Sequence, residues 1–216
     1  MDLSLTSIIM RIPALLIAFA FHEWGHAFVA DYFGDPTPRR QGRLSLNPLV
    51  HIDIFGTLLV LLTGFGWAKP VQTNPLNYRG NPRRADLLVS LAGVCMNFII
   101  GFISIFIVQL FVYLVGMQGN VLFLVQILTE VVWLNVALGV FNLIPVYPLD
   151  GFHVLTDLLP EEMAANLYRY EQYGMFILLL ILIVPGVSNA LLVPINSIVN
   201  LMQTVSGAVL HVFGVG

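Results

Sequence analysis

The sequence has very little charge: Asp, Glu, Lys and Arg make up 10% of its 216 residues, whereas 58% are hydrophobic. Soluble globular proteins carry roughly 25% charged residues, so a composition this poor in charge excludes a soluble domain and indicates a chain that lies in a lipid bilayer. The only lysine is Lys69, and the sequence contains no run of basic residues. Binding to nucleic acid is therefore not expected.

Cysteine and signal-peptide features are equally scarce. The single cysteine, Cys95, allows no intramolecular disulfide, and its apolar surroundings predict a small core residue. No basic segment precedes the first apolar stretch, so this stretch is expected to be a retained span. Without a recognisable linker or repeat, the sequence predicts one membrane-embedded domain over residues 1–216, with a catalytic core at about 3–155 and C-terminal helices at about 160–213.

Four apolar stretches have about the 20 residues that a helix needs to cross the hydrocarbon core. They are Leu3–Phe33, Asp86–Val115, Val121–Leu143 and Tyr173–Val212, the last of which we expect to form two short spans broken near Pro185. A turn at residues 116–120 predicts that the second and third stretches form an antiparallel hairpin. The fold class predicted is an all-α polytopic membrane protein with about five spanning helices.

One further apolar stretch, Ile52–Trp67, is too short to span and is interrupted by glycines and Asp53. It is predicted to be a re-entrant or interfacial element, with a strand hairpin, a re-entrant loop and a short helix all left open. Seven of the nine basic residues flank it on its two sides. The positive-inside rule then puts both flanks, and the end of the first span, on the cytoplasmic side.

The first span contains the pattern His22-Glu23-Trp24-Gly25-His26. Residues four apart share one face of an α-helix, so His22 and His26 can offer imidazole nitrogens to one metal ion. Glu23 lies beside them as a candidate general base for a metal-activated water molecule. Ionisable residues within a membrane span are costly and usually functional. The pattern therefore predicts a zinc site.

A catalytic zinc site usually takes three protein ligands, so one ligand is missing from this motif. Asp150 is favoured because Pro145 and Pro148 end the preceding helix and Gly151 permits a tight turn back toward a neighbouring span. Glu130 is the competing choice because it is a carboxylate in mid-span. The remaining candidates are Asp31, Asp35, Asp53 and His51.

These motifs resemble the site-2 protease family of intramembrane zinc metalloproteases, in its minimal form without PDZ-like or CBS-like domains. The resemblance rests on Phe21–Ala27 around the histidines and on Asn142–Pro145 leading to Pro148–Gly151, with weaker similarity at Gly42–Asp53 and Trp67–Val71. It covers about residues 15–155. One departure is Val94, which stands where the family often has proline after glycine.

The resemblance implies that His22, His26 and Asp150 bind Zn²⁺ and that Glu23 activates water. It also implies cleavage of peptide bonds in or near the transmembrane segments of other membrane proteins. Asn97 and Asn142 are candidates for contacts with the substrate or the transition state, although hydrogen bonding between helices would explain them equally well. The substrate's identity and the oligomeric state are not indicated.

Two alternatives stay open from the residues alone. The first is a non-proteolytic zinc-binding membrane protein, such as a transporter or an inactive homologue. The second is another class of membrane zinc peptidase with Glu130 as the third ligand. His51, His153 and Lys69 are not assigned a role by the sequence: each is more typical of an interfacial or structural residue than of a ligand.

Overall fold

The computed structural model describes residues 5–63, 66–116 and 120–214, and every regular element in these residues is helical. The predicted all-α class is confirmed. The α-helices, in chain order, are α1 (Leu5–Tyr32), α2 (Thr37–Arg40), α3 (Ile54–Thr63), α4 (Pro82–Val115), α5 (Asn120–Asn142), α6 (Asp150–Leu158), α7 (Glu161–Tyr168), α8 (Gly174–Ile183) and α9 (Pro185–Val212).

Four of the described helices contain segments long and apolar enough to cross a membrane: Ile9–Tyr32, Pro82–Val115, Val121–Asn142 and Asn189–Val212. The predicted polytopic membrane protein is therefore confirmed. The beginning of the first predicted span at Leu3 and the turn expected at residues 117–119 lie outside the described residues.

The C-terminal region divides differently from the expected two short spans. Pro185 occupies the first turn of α9, where its missing N–H costs no hydrogen bond, and α8 ends just before it, at Ile183. Helix α9 has 28 residues and is not ended by Pro194, which lies inside it. The described residues thus contain one crossing helix here, preceded by the ten-residue apolar helix α8.

Helix α4 is the central element and packs against α1, α5, α6 and α9. It begins at Pro82, where the side chain of Asn81 accepts hydrogen bonds from two backbone N–H groups of the first turn. Cys95 is exposed on α4, contrary to the prediction of a core residue. It follows the buried Gly93 by two residues, or about 200° of helix rotation, and so lies on the opposite, outward face.

The short apolar stretch forms helix α3, whose ten residues reach about 15 Å, half of the hydrocarbon thickness. After α3 the chain returns to the point where the segment began: the backbone N–H of Lys69 donates to the carbonyl of His51 at 2.8 Å. Gly56 and Gly66 permit this return: a Cβ on Gly66 would overlap the carbonyl oxygen of Gly56. Of the three forms left open, the described residues show a short helix; residues 64–65 lie outside them.

A turn after α5 brings α6 back against the end of α5. Helix α5 ends at Asn142, and α6 begins eight residues later with Asp150. A Cβ on Gly151 would overlap the carbonyl oxygen of Leu143, so glycine is required for this approach. The turn expected from the prolines and Gly151 is therefore present, and its consequence is the position of the Asp150 carboxylate.

Candidate metal centre

The buried end of α1 carries the motif's three polar side chains. His22, Glu23 and His26 are 6%, 7% and 9% exposed. Helix α4 approaches them at Gly93, where a Cβ would overlap the imidazole of His26 and come within 2.8 Å of that of His22. Only glycine at this position lets the two helices pack while the rings keep their orientation.

Three potential ligand atoms converge at this point. The Nε2 atoms of His22 and His26 are 3.1 Å apart, and Oδ2 of Asp150 lies 3.3 Å from the first and 3.4 Å from the second. These three residues are the group of metal-ligating side chains found among the described residues. Of the two carboxylates, Asp150 lies in this cluster and Glu130 does not.

The hydrogen bonds made by the two Nδ1 atoms determine whether each Nε2 carries a proton or a lone pair. Nδ1 of His22 donates to Oδ1 of Asn97 at 2.6 Å, and Nδ1 of His26 donates to the carbonyl of Val89 at 2.7 Å. Neutral imidazoles with the proton on Nδ1 expose a lone pair at Nε2. Oδ2 of Asp150 is likewise buried and has no hydrogen-bond donor. Three lone-pair atoms facing one another need a cation between them.

The spacing of the three atoms fits zinc. Tetrahedral zinc with bonds of about 2.0–2.1 Å to nitrogen and oxygen separates neighbouring ligand atoms by about 3.3–3.4 Å. The observed separations of 3.1–3.4 Å agree with this geometry. Two imidazoles and one carboxylate also form a ligand set that leaves the fourth position open, which is typical of catalytic zinc.

Positive charge next to the Asp150 carboxyl favours its ionised form. Burial by itself raises its pKa, but positive charge at His26 and His22 outweighs burial and holds the pKa well below its ordinary value; a bound cation would supply that charge when both imidazoles are neutral. A carboxylate must be ionised to bind a metal ion, so this environment favours the ligand form.

Glu23 faces the same cavity as the ligands, and its carboxylate accepts a hydrogen bond at 2.7 Å from the backbone N–H of Val71. Val71 lies in the extended segment that follows α3. This contact fixes Glu23 beside the three ligand atoms without making it one of them. A carboxylate so placed can accept a proton from water in the cavity.

The segment that contacts Glu23 is anchored by two residues from the stretch between α1 and α3. Arg43 is buried and donates through Nη1 to the carbonyls of Val50 and Lys69. His51 is fully buried and donates through Nε2 to the carbonyl of Ser45 at 2.8 Å. His51 is therefore a buried, hydrogen-bonded residue outside the cluster of potential ligands, and Lys69 contributes through its backbone.

Asn97 lies behind His22 and outside the wall of the cavity. It is fully buried and connects His22 with Asn135 of α5, to whose Oδ1 it donates at 2.9 Å. The structure thus places Asn97 against a metal-ligand candidate, and not where a substrate would contact it. Asn135 was missed from the sequence, although an amide within an apolar span was a signal that could have found it.

The cavity beside the ligands has a volume of about 680 Å³. Asn142 and His153 line it, together with Asp86, Ser90 and Thr73. Nδ2 of Asn142 donates to the carbonyl of Leu138 at 3.0 Å, so this nitrogen is already engaged within α5. A pocket of this size next to a metal centre is large enough for several residues of an extended peptide.

The remaining ligand candidates have other partners. Asp31 pairs with Arg39 at 2.6 Å, and Glu130 faces Arg11 with a separation of 3.9 Å. Asp35 accepts hydrogen bonds from the segment after α1, and Asp53 accepts one from the backbone N–H of Gly56. None of them belongs to the cluster formed by the described residues.

Comparison with known families decides the identity. The model of peptidase family M50 matches residues 10–185, which include both histidines, Glu23 and Asp150. The chain belongs to peptidase family M50. This is the site-2 protease family that the motifs resembled, so the sequence-based recognition is confirmed. No solved structure matches the chain.

Members of the family from several organisms are similar to the chain. YwhC of Bacillus subtilis, provisionally named a zinc metalloprotease, is 41% identical over 174 residues, covering 79% of this chain and 78% of YwhC. Rip2 of Mycolicibacterium smegmatis, also provisionally named a zinc metalloprotease, is 30% identical over 192 residues, which cover 84% of this chain and 69% of Rip2. The zinc metalloprotease MJ0392 of Methanocaldococcus jannaschii is 26% identical over 68% of this chain and 34% of its own length.

These M50 relatives, together with the four membrane-crossing helices, identify the chain as a membrane zinc metalloprotease with Zn²⁺ as its cofactor. The non-proteolytic transporter remains without a supporting observation. The donor set of two imidazoles and an ionised carboxylate is the chemistry that this cofactor requires.

Proposed function

We propose that this M50 peptidase cleaves peptide bonds in or near the transmembrane segments of other membrane proteins, with its active site toward the cytoplasmic side. One observation carries the proposal. The three convergent ligand atoms and Glu23 open into a cavity that lies between helices long enough to cross a membrane. A water-requiring reaction is thereby given a chamber that contains ionisable groups at the end of apolar spans.

His22, His26 and Asp150 are proposed to hold the zinc ion, because their donor atoms match its geometry and have no other cation. Zinc supplies Lewis-acid polarisation of a water molecule and of the substrate carbonyl. Asn97 and Val89 hold the histidine rings by accepting from Nδ1, which leaves both Nε2 atoms available.

Glu23 is proposed as the general base. It accepts a proton from the attacking water and passes it to the amine nitrogen as the C–N bond breaks. Its bond to the Val71 N–H keeps the carboxylate aimed into the cavity. Asn142 lines the cavity and its Nδ2 is engaged by Leu138, so its side-chain oxygen is proposed to accept a hydrogen bond from a backbone N–H of the substrate.

A helical substrate must unwind before cleavage, because its backbone hydrogen bonds shield each peptide bond. The cavity wall includes Thr73, Ser90 and Asn142 as well as the segment around Val71, so the backbone of an unwound peptide can find hydrogen-bond partners there. We therefore expect preferred substrates to have helix-breaking residues next to the cleaved bond.

The cytoplasmic orientation is proposed from the positive charges. Arg40 and Arg79 are exposed on opposite sides of the short α3 segment, whose ends meet at the bond between Lys69 and His51. Both flanks thus lie on one side of the bilayer, which by the positive-inside rule is the cytoplasmic side. The candidate site lies at this same end of α1.

The test uses purified wild-type protein and Glu23→Gln in detergent, with a fluorogenic single-span peptide: a leucine-rich helix interrupted by Asn-Pro. The wild type should cleave the peptide and hold one zinc per chain. Glu23→Gln should keep the zinc and lose roughly 10²–10⁴-fold in rate. Glu162→Gln, at an exposed glutamate of α7, is the matched control. Turnover near the wild-type rate in Glu23→Gln would refute the mechanism.

A further inference from the structure

Two titratable side chains of the cavity have no part in the mechanism so far. Asp86 of α4 and His153 of α6 line the same cavity as Glu23 and the metal-ligand candidates. The backbone carbonyl of His153 accepts from Thr156, but its ring nitrogens have no hydrogen-bond partner within the part of the chain that the structure describes. An uncommitted imidazole beside a hydrolytic centre requires an explanation.

The packing of α4 against α6 places these two residues opposite each other. Nη2 of Arg83 donates to the carbonyl of Thr156 at 2.7 Å, which fixes the first turn of α4 against α6. Asp86 follows Arg83 by three residues, and His153 precedes Thr156 by three residues. Because residues three apart share a helix face, Asp86 and His153 face each other one turn closer to the metal centre.

The same spacing connects the pair with the ligands. Asp150 precedes His153 by three residues and approaches His26, whose ring is held by the carbonyl of Val89 of α4. His153 therefore lies one helical turn from a metal-ligand candidate and on the same face of α6. Asp86 and His153 both line the cavity wall at this point.

Hydrolysis of a peptide bond makes the carbonyl oxygen negative as water attacks the carbon, and a positioned hydrogen-bond donor stabilises that charge. An imidazole can supply such a donor through a ring N–H. The side chains of the described cavity wall that can be positively charged are three histidines, and His22 and His26 are committed to the metal centre. His153 remains free.

We propose that His153 is a further catalytic residue, which donates a hydrogen bond to the substrate's carbonyl oxygen, and that Asp86 is a positioning residue which keeps the His153 ring directed into the cavity. The inference rests on the proposed peptidase function. The water oxygen bonds to carbon, its proton passes through Glu23 to the leaving nitrogen as the C–N bond breaks, and His153 retains its own proton throughout.

His153→Phe and His153→Gln test the donor with the same fluorogenic single-span peptide and with zinc content measured on each preparation. His153→Phe removes the donor and should lower kcat by about 10²–10³-fold, with KM within about twofold and zinc as in the wild type. His153→Gln restores an N–H donor and should recover part of kcat, which a purely structural role would not predict. His211→Phe, at an exposed histidine of α9, should leave kcat unchanged.

A kcat of His153→Phe within threefold of wild type overturns the proposal, as does a rise in KM alone or a loss of zinc. Should His153→Phe fail to fold, His153→Leu, which also lacks a donor, decides by the same criteria. If the wild type cleaves and Glu23→Gln does not while His153→Phe remains active, this inference fails and the proposed function stands. Zinc-loaded wild type without cleavage overturns the proposed function together with the role of His153.

The role of Asp86 is tested by a double-mutant cycle. Asp86→Asn should lower kcat about tenfold in the wild-type background and have no further effect in His153→Phe, because Asp86 acts through the imidazole. Equal losses in both backgrounds would overturn the positioning role.

Discussion

Nδ1 of His22 lies 2.6 Å from Oδ1 of Asn97, and the Asn97 amide in turn donates to Asn135 at 2.9 Å. Nδ2 of Asn135 continues the chain to the carbonyl of Val131 at 2.8 Å. Three membrane-crossing helices are thus joined behind one metal-ligand candidate. Since the direction of each hydrogen bond is fixed by the next, the chain specifies which nitrogen of His22 remains available.

The first prediction is that Asn97→Ala weakens zinc binding. Loss of the Oδ1 acceptor frees the His22 ring to rotate and leaves a buried Nδ1–H without a partner, so zinc affinity should fall by roughly 10–100-fold. Competition with a fluorescent chelator measures the affinity. Asn200→Ala, at an exposed position of α9, should bind zinc as the wild type does. Equal affinity of Asn97→Ala and wild type would contradict the orienting role.

The second prediction concerns Gly93. A methyl group at this position overlaps the imidazole of His26, so Gly93→Ala should displace the histidines and lower both zinc content and peptidase rate by at least tenfold. Gly207→Ala is the control, because its Cβ would find its closest contact at 3.8 Å, an ordinary van der Waals distance. Zinc content by mass spectrometry and thermal unfolding distinguish a displaced site from a lost fold. Full zinc content in Gly93→Ala would contradict the packing argument.

The third prediction is a pH dependence of stability from Asp35, just after α1. Asp35 is fully buried; burial raises the pKa of its carboxyl, but hydrogen bonds from Thr37, Asn77 and Asn74 outweigh burial and lower it. A lowered folded-state pKa contributes stability above the ordinary value of 3.8, and this contribution is lost as the pH falls through the lowered pKa.

Asp35→Asn should therefore unfold more easily than the wild type at pH 7, by about 2–3 kcal/mol, because an amide cannot accept all of these hydrogen bonds. The difference should shrink below pH 4. Thermal unfolding in detergent from pH 7 to pH 3 measures it, with the exposed Glu162→Gln as control. A difference that stays constant over this range would show that the Asp35 charge does not matter.

The sequence predicted the ligand-bearing helix because two histidines at helical spacing have one geometric interpretation. It predicted the approach of Asp150 less directly, since a turn after α5 could point a carboxylate in several directions; Gly151 against Leu143 decides the direction, and this contact is tertiary. The exposure of Cys95 and the single crossing helix α9 were missed because they too depend on tertiary packing. Apolar residues that face lipid and apolar residues that face the core look alike in sequence.

The fourth prediction tests the topology around α3. Single cysteines at Arg40 and Arg79, in a Cys95→Ser background, should both react with a membrane-impermeant maleimide from the same side of the bilayer. The reason is that the backbone bond between Lys69 and His51 brings the two ends of the segment together. Labelling in oriented vesicles from the cytoplasmic side agrees with the proposed orientation. Labelling from opposite sides would mean that residues 52–67 cross the bilayer.

The last prediction separates the two carboxylates that the sequence offered as a third ligand. Oδ2 of Asp150 lies within 3.4 Å of both histidine Nε2 atoms and has no hydrogen-bond donor, whereas Glu130 faces Arg11 at 3.9 Å. Asp150→Ala should reduce zinc content and cleavage together. Glu130→Gln should keep its zinc, because only the interaction with Arg11 is lost.

The pH dependence of zinc binding adds an independent measurement. Ligand binding requires an ionised carboxylate and neutral imidazoles, so zinc affinity should weaken as the pH falls. In Asp150→Asn, the residual affinity should be lower at every pH, since an amide is a poor ligand for zinc. Glu130→Gln should follow the wild-type curve, and the exposed Glu161→Gln serves as control. Loss of zinc in Glu130→Gln together with its retention in Asp150→Ala would contradict this assignment. The metal centre would then have to lie in mid-membrane, beside Arg11 and Glu130 and away from the histidine cluster.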